Sequence, residues 1–209
     1  MGCALVTGAS RGLGAAIAER LAADGWTVVV NYAHDTARAT AVAERIGGHA
    51  VRFDVTDEES VRQGIAAVEA VAGPVEVLVN NATGPQPEIP VERQTWQDYL
   101  DQLHFFVKAP LLLLQAVLPG MRAAGRGRII NIGSEVADLG NPEFSQYVAA
   151  KAAQHGLTRS WARALGPWGI TVNTVEPGWI PVERHAGMDV SDYRATVPLG
   201  RMGVPADVA

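Results

Sequence analysis

Short apolar runs alternate with amphipathic stretches along the whole chain. The run at Ala4–Thr7 has the continuous apolar character of a strand that is buried on both faces. Runs of the same kind, bounded by Gly, Pro, Asn or Asp, predict further strands at Trp26–Tyr32, His49–Asp54, Val75–Asn80, Arg128–Ile132 and Ile170–Val175. Such strands are typical of a parallel sheet that carries helices on both faces.

The stretches between these strands have the spacing of amphipathic helices. Leu13, Ile17 and Leu21 share one face of the first helix, Gly12–Asp24, which Gly25 ends. The other helices are predicted at Thr36–Ile46, from Asp57 to about Val71, at Thr95–Ala123 with a bend at Pro110, and at Phe144–Leu165. Alternating strands and helices indicate an α/β fold, and we expect a single domain over residues 1–209 because no linker divides the chain.

Composition and charge narrow the class of protein. The net charge is −5 with acids and bases interspersed, which argues against a nucleic-acid or anionic membrane partner. The densest apolar stretch, Ala109–Leu118, is too short to cross a bilayer, and the first residues lead directly into a strand. Cys3 is the only cysteine and the histidines lack metal-ligand spacing, so we expect no disulfide and no metal site. These features indicate a soluble, cytoplasmic protein.

A glycine-rich turn, TGASRGLG at Thr7–Gly14, follows the first predicted strand. Gly8, Gly12 and Gly14 permit a tight turn and a close approach of phosphate to the backbone. The helix that follows presents free N–H groups and the positive end of its dipole. The strand–turn–helix context therefore predicts a dinucleotide-binding loop, although the glycine spacing is not that of the G-x-G-x-x-G motif.

A second candidate site lies in the helix predicted at 144–165. Tyr147 and Lys151 are one turn apart, so the phenol and the ammonium share a face. A nearby ammonium favours the phenolate, and such a tyrosine can pass a proton to or from an alcohol or carbonyl oxygen near neutral pH. Ser134, at the end of an apolar strand, could donate a second hydrogen bond to that oxygen. Taken alone, the pair is also compatible with an ordinary helix surface.

The end of the second predicted strand bears on the choice of dinucleotide. NAD sites usually have an acid there for the ribose hydroxyls, whereas this chain has Asn31 and Tyr32 and no acid before Asp35. Arg11, inside the glycine turn, could meet a 2′-phosphate through a charge-assisted hydrogen bond. These residues favour NADP(H) over NAD(H).

The ordered motifs resemble those of the short-chain dehydrogenase/reductase family, and most of all its 3-oxoacyl-acyl-carrier-protein reductases. They are the TGxxxGxG turn at Thr7–Gly14, Asp54–Val55, NNA at Asn80–Ala82, Ser134, the YxxxK pair Tyr147 and Lys151, and NTVEPG at Asn173–Gly178. The resemblance spans almost the whole chain and implies a Rossmann-type doubly wound parallel sheet with strand order 3-2-1-4-5-6. The family's final, seventh strand is expected to be absent from this chain, whose sequence stops at Ala209.

The resemblance also implies roles for the matching residues. Tyr147 would be the general acid in carbonyl reduction, or the base in alcohol oxidation. Lys151 would lower the pKa of that tyrosine and hold the nicotinamide ribose, and Ser134 would orient the substrate oxygen. The expected cofactor-binding residues are Gly8, Ser10, Arg11, Gly12, Leu13, Gly14, Asn31, Asp54, Val55, Asn81, Ala82, Tyr147, Lys151, Pro177, Gly178 and Ile180.

Some positions depart from the family pattern. Thr83 stands where the NNAG motif has its glycine, and Val182 stands near a threonine that binds the carboxamide in relatives. Phe106 stands where relatives carry an asparagine that anchors a proton-relay water. Phenylalanine cannot hold such a water, so the resemblance leaves the relay, and full turnover with it, open.

The remaining expectations concern the substrate side and the assembly. By resemblance, the segment of about 179–198 would be a lid over a small-molecule or acyl-thioester substrate. The apolar faces of the helices predicted at 95–123 and 144–165 exceed what one sheet needs, and in relatives these helices form a dimer interface. A homodimer or homotetramer is therefore expected.

The leading hypothesis is NADPH-dependent reduction of a 3-oxoacyl thioester or a similar ketone to an alcohol. One alternative is an NAD(P)-dependent secondary alcohol dehydrogenase, which relative turnover with each cofactor would distinguish. Another is a dinucleotide-binding protein with little turnover, which Phe106 motivates. That protein would bind NADPH without oxidising it in the presence of substrate.

Overall fold

The computed structural model describes residues 2–209, and within them six strands form one parallel sheet. The strands are β1 (Cys3–Val6), β2 (Thr27–Tyr32), β3 (His49–Arg52), β4 (Val75–Asn80), β5 (Gly127–Ile132) and β6 (Ile170–Val175). Their order across the sheet is β3-β2-β1-β4-β5-β6, which confirms the predicted doubly wound α/β fold. The connection reverses direction between β1 and β4, and ligand clefts form at the carboxyl ends of the strands at such a point.

Helices cover both faces of the sheet. They are α1 (Gly12–Ala23), α2 (Thr36–Ile46), α3 (Glu58–Ala72), α4 (Trp96–Leu103), α5 (Ala109–Ala124), α6 (Val136–Leu139), α7 (Ser145–Leu165) and α8 (Ser191–Thr196). Side-chain caps fix three of the starts. The carboxylates of Asp35 and Asp57 accept hydrogen bonds from backbone N–H groups in the first turns of α2 and α3, and Thr95 forms a capping box with Asp98 at the start of α4. Gly47 ends α2 in the left-handed conformation, with φ of 63°.

Successive residues of β1 pack into opposite layers of the core. Cys3 and Leu5 belong to the layer that contains side chains of α3 and α5. Ala4 and Val6 belong to the layer that contains side chains of α1 and α2. Because both faces of the strand are buried, every position in it is apolar, and the sequence shows a continuous run instead of an alternation.

The long helix predicted at Thr95–Ala123 is interrupted in the structure. A π-helical turn, His104–Lys108, joins α4 to α5, and the backbone N–H of Ala109 donates to the carbonyl of His104. Pro110 follows in the first turn of α5, a position where proline is tolerated. The distortion expected at Pro110 is therefore a local change of helix register just before it, of the kind that often lies at functional sites.

In residues 2–209, the stretch Trp96–Ala124 is the one helical run long and apolar enough to cross a membrane by length and composition. It is longer than the apolar run Ala109–Leu118 on which the sequence-based expectation rested. Leu113, Val117 and Met121 of this stretch are buried in the core layer between α5 and the sheet. Its packing is that of the core helix of an α/β fold.

Candidate active site

Tyr147 and Lys151 lie in the first two turns of α7 and share one face, as their spacing predicts. The Lys151 Nζ is 5.8 Å from the centroid of the Tyr147 ring. That ring is half-buried between two phenylalanines, with its centroid 5.4 Å from that of Phe106 and 6.4 Å from that of Phe144. The phenol is therefore held in an aromatic setting beside a cation.

The Lys151 side chain is buried, with a relative exposure of 5%. Its Nζ donates to the carbonyl oxygen of Ile132 at 2.6 Å and, over a longer 3.4 Å, to Oε1 of Gln154. Burial lowers the pKa of Lys151 from 10.5 to about 7, and the nearby carboxylate of Glu176 acts against that shift. The bond to Ile132 ties α7 to the carboxyl end of β5.

Ser134 follows β5 by two residues, at the same carboxyl edge. Gly133 directs the chain there: its N–H donates to the carbonyl of Val175 at 2.7 Å, and a Cβ on it would lie 2.6 Å from a methyl carbon of Thr174. The Ser134 hydroxyl accepts a long hydrogen bond of 3.4 Å from the N–H of Val136, at the start of α6. Ser134, Tyr147 and Lys151 are thus brought to one end of the sheet.

The glycine turn Thr7–Gly14, called the phosphate turn below, lies at the same end of the sheet, between β1 and α1. Gly8 and Gly12 have φ of 61° and 57°, a conformation that other residues rarely adopt. Arg11 precedes the first helical residue, and no side chain caps the N-terminus of α1. The free N–H groups of that turn remain available to an anion, so the turn has the chemistry of a phosphate site.

The turn is fastened to the segment after β4. The Thr7 hydroxyl donates to the carbonyl of Val79 and accepts from the N–H groups of Asn81 and Ala82, at 3.0, 2.9 and 3.1 Å. The Asn81 amide donates to the carbonyl of Thr7 at 2.8 Å. A Cβ on Gly8 would lie 2.8 Å from Cα of Ala82, so this close packing requires glycine.

Asn31 and Asn81, which the sequence analysis lists among the cofactor residues, have side chains that bond to the protein itself. The Asn31 amide accepts from the N–H of Gly8 at 3.2 Å and donates to the carbonyl of Phe53 at 3.0 Å. Asn31 is buried at the end of β2. Its amide therefore shapes the phosphate turn from one side, as the amide of Asn81 does from the other.

The end of β2 presents no free carboxylate to a ribose among the described residues. The Asp35 carboxylate accepts from the N–H of Arg38 at 3.0 Å and pairs with the guanidinium of the same residue at 3.3 Å. Arg11 is exposed at the start of α1. The first acid after β2 is therefore engaged with its own helix, while the guanidinium of the phosphate turn is accessible to solvent.

The other predicted cofactor residues follow the carboxyl ends of β3 and β6. Asp54 accepts hydrogen bonds from the backbone N–H and the hydroxyl of Thr56, both at 2.8 Å, and Val55 beside it is buried. The segment Pro177–Ile180 is half-buried at the end of β6. Ser10, Leu13 and Gly14 complete the turn at the start of α1.

Sequence analysis missed a hydrogen-bonded latch beside Ser134. The Tyr193 hydroxyl of α8 donates to the Glu135 carboxylate and accepts from the N–H of Trp179 at 2.8 Å. The Trp179 ring also meets the Tyr193 ring edge-on, 5.6 Å between centroids. Nothing in the local sequence around Glu135 or Tyr193 signals this contact, because the two residues are far apart in the chain.

A series of side-chain hydrogen bonds also connects the strands to α7, the helix that carries the Tyr–Lys pair. Asn80 donates to Asn131 at 2.8 Å, Asn131 donates to the hydroxyl of Thr158 at 2.8 Å, and that hydroxyl meets the hydroxyl of Thr174 at the same distance. These hydrogen bonds link β4, β5, α7 and β6. They fix the register of α7, and hence of Lys151, against the sheet.

Two further features bear on ligand binding, namely clefts and groups of side chains that could bind a metal ion. A cleft between α1 and the segment after β6 is lined by Gly12, Ala15, Pro181, Val182 and Pro205. It begins at Gly12 of the turn and extends along α1 to Glu19 and Arg45. No group of three or more His, Cys, Asp or Glu side chains that could hold a metal ion is found in residues 2–209.

The sequence of this protein is similar to a family model and to proteins of known activity. A family model described as short chain dehydrogenase matches residues 2–189. A 3-oxoacyl-[acyl-carrier-protein] reductase of Vibrio harveyi is 38% identical over 211 residues, which are 99% of this chain and 86% of the relative. The enzyme of the same name from Staphylococcus aureus (strain Mu50 / ATCC 700699) is 39% identical over 216 residues, covering 99% and 87%.

Solved structures agree with the relatives. A blue fluorescent protein from a metagenomic library, in complex with NADPH, has a TM-score of 0.90 and 38% identity, covering 99% of this chain and 87% of its own. A gluconate 5-dehydrogenase from Burkholderia cenocepacia J2315, in complex with NADP and tartrate, has a TM-score of 0.90 and 31% identity, covering 99% and 84%.

Proposed function

The chain belongs to the short-chain dehydrogenase family, and from the geometry of its site we propose that it reduces a ketone to an alcohol with NADPH. As a member of this family it is an NAD(P)-dependent oxidoreductase that acts on CH–OH and C=O groups. One observation carries the finer proposal: a phenol is held beside a buried ammonium at the edge of the sheet that also bears an uncapped phosphate turn.

The residues fit a dinucleotide. The free N–H groups at the start of α1 and the glycines before it would hold the pyrophosphate, and Asp54 and Val55 would flank the adenine. Lys151 would exchange its long contact with Gln154 for the ribose hydroxyls. When bound, the nicotinamide supplies the hydride, and the protein's part is to orient the substrate and manage the proton.

In the proposed reaction, Tyr147 gives its hydroxyl proton to the substrate oxygen, and the bond between that oxygen and the proton forms as the phenolate appears. The ammonium of Lys151 beside the ring stabilises the phenolate. Ser134, whose hydroxyl accepts a long hydrogen bond from the N–H of Val136, orients the same substrate oxygen.

NADPH is the proposed cofactor for two reasons. Asp35, the first acid after β2, is engaged with Arg38, whereas Arg11 is exposed where a 2′-phosphate would lie. The two similar solved structures are complexes with NADPH and NADP. A 3-oxoacyl thioester is the proposed substrate class because the similar reductases carry that name.

Phe106 favours a second candidate, a dinucleotide-binding protein with little turnover. Its buried ring fills the side of Lys151 on which a relay water would need a polar partner. Turnover separates this candidate from the first.

The test is oxidation of NADPH and NADH by the purified chain with an acetoacetyl thioester. Tyr147→Phe removes the proton donor and keeps the ring, so kcat should fall by about 10²- to 10⁴-fold while NADPH affinity stays within about threefold. Tyr99→Phe is the matched control, because its hydroxyl bonds to Gln94 at 2.9 Å, and Gln94 keeps its hydrogen bond from Ser145, at the start of α7, in this variant. A Tyr147→Phe enzyme with most of its activity would refute the acid role.

The lid at about 179–198 and the homo-oligomer remain proposals. Support for a lid comes from the latch of Glu135, Tyr193 and Trp179 over the end of the site. Support for an assembly comes from apolar side chains that a single copy leaves in solvent, notably Trp96, which is 67% exposed at the start of α4, and Leu111 on α5.

A further inference from the structure

The Lys151 ammonium is enclosed by the protein on three sides. Two sides are oxygen atoms, the carbonyl of Ile132 at 2.6 Å and Oε1 of Gln154 at 3.4 Å. The third is the face of the Phe106 ring, whose centroid lies 3.8 Å from Nζ. An ammonium has three hydrogens, so this arrangement gives each a direction without water.

Phe106 is itself fixed in place. It is 3% exposed and lies at the centre of the π-helical turn between α4 and α5. The same ring contacts the Tyr147 ring, tilted by 59° at 5.4 Å between centroids. One aromatic side chain therefore touches both the phenol and the ammonium of the proposed proton-transfer pair.

The contact with Lys151 has the geometry of a cation–π interaction. A cation within about 6 Å of a ring centroid is attracted by the ring's quadrupole, and the attraction grows when water is excluded. Among the described residues, Glu176 is the charged group that acts on this ammonium, and its carboxylate pairs with His155 of α7 at 2.8 Å. His104 and Lys108 of the π-helical turn are exposed. The aromatic ring therefore supplies a favourable contact for the charged form on the side where β5 and Gln154 supply none.

We propose that Phe106 is a positioning residue of the Tyr147–Lys151 pair, whose ring face holds the ammonium and closes the helix side of the pair to water. This inference rests on the proposed function for its meaning in catalysis, although the contact itself does not. Proton exchange with solvent then passes through the open, half-exposed side of Tyr147, not along the α4–α5 side.

Lysine NMR tests this proposal without any turnover, because the sequence contains lysine only at Lys108 and Lys151. Lysine-selective ¹³C labelling gives two Cε signals, and Lys108→Arg assigns them. In the wild-type chain the methylene protons of Lys151 should be shifted upfield by the ring current of Phe106, and those of the exposed Lys108 should not.

Substitutions at Phe106 distinguish the effect of the aromatic ring from the effect of side-chain volume. Phe106→Leu keeps an apolar side chain and removes the ring, so the upfield shift should vanish and the titration midpoint of Lys151 should fall by about 0.5–1 pH unit. Phe106→Asn admits water, which should move the midpoint up instead. Phe105→Leu is the matched control: this neighbouring ring packs against Gly84, and both signals should stay as in the wild type.

Activity supplies the link to catalysis. The pH profile of kcat for ketone reduction should shift in the same direction as the NMR midpoint in each variant, whereas KM for NADPH should change little. Phe106→Met serves as a second ring-free variant where Phe106→Leu does not fold. Equal lysine shifts and midpoints in the Phe106 and Phe105 variants would overturn the proposal, whatever the activity. Failure of the proposed function appears separately, as an active Tyr147→Phe enzyme.

Discussion

At the scale of single residues, Arg11 is the side chain proposed to contact the 2′-phosphate of NADPH. It is the charged side chain of the phosphate turn, and it is exposed at the N-terminus of α1. Hydrogen bonds to charged groups contribute about 1.5–3 kcal/mol. Arg11→Ala should therefore weaken NADPH binding by about 10- to 100-fold and change NADH binding less than about twofold.

Titrations with both dinucleotides measure this effect. Arg20→Ala is the control, because Arg20 lies on the same helix and pairs with Asp24 at 3.1 Å, away from the turn. Equal losses for NADPH and NADH in Arg11→Ala would mean that the guanidinium does not contact the 2′-phosphate.

The residue types around the site were easier to predict than the directions of their side chains. Glycines in a strand–turn–helix context and a Tyr–Lys spacing are local signals, so Gly8, Tyr147 and Lys151 could be singled out from the sequence. Whether an amide faces a ligand or the backbone depends on neighbours far along the chain. For that reason the bonds of Asn31 to Gly8 and Phe53 could not be predicted.

At the scale of elements, α8 is linked to the end of β5 by the latch of Tyr193 and Glu135. A hydrogen bond to a charged group of this kind contributes about 1.5–3 kcal/mol. Tyr193→Phe removes this bond and the one from the N–H of Trp179, so proteolytic cleavage within residues 179–198 should become about tenfold faster. KM for the ketone should rise as well, because the segment closes less often.

Limited proteolysis with mass spectrometry measures the cleavage rate. Glu135→Gln keeps an oxygen that accepts from Tyr193, so its effect should be smaller, and Tyr99→Phe should have none. An unchanged cleavage rate in Tyr193→Phe would show that the latch does not restrain the segment.

Element boundaries show where sequence patterns fail. α2, β4 and β6 begin and end as predicted, because glycine, proline or a capping aspartate marks their ends. The π-helical turn His104–Lys108 was not predicted, since its apolar periodicity is that of an ordinary helix with one residue inserted. Nor were α6 and α8, which are too short to produce a periodic pattern.

At the scale of the whole molecule, burying Lys151 couples the stability of the fold to pH. The pKa of Lys151 is lowered from 10.5 to about 7, so between those pH values the unfolded chain holds a proton that the folded chain has released. The free energy of unfolding should therefore rise with pH across this window, by at most about 1.4 kcal/mol per unit from this residue. As pH falls, this contribution is lost progressively from 10.5 and is gone below about 7.

Urea unfolding at pH 6 to 10 tests the coupling. Lys151→Met carries no titrating group and should lack this part of the slope, so it should gain stability relative to the wild type as pH falls. Lys108→Met, at an exposed position, should follow the wild type. Parallel curves for all three chains would contradict the lowered pKa.

The Thr7 hydroxyl, which bonds to Val79, Asn81 and Ala82 at once, has a consequence for how such an enzyme can diversify. These bonds hold the phosphate turn and the end of β4 in one fixed arrangement, so a change in one requires a change in the other. We expect adaptation to a new substrate to come instead from α8 and the segment before it, which the hydrogen bonds of Tyr193 to Glu135 and Trp179 hold in place and which can change without altering the phosphate turn.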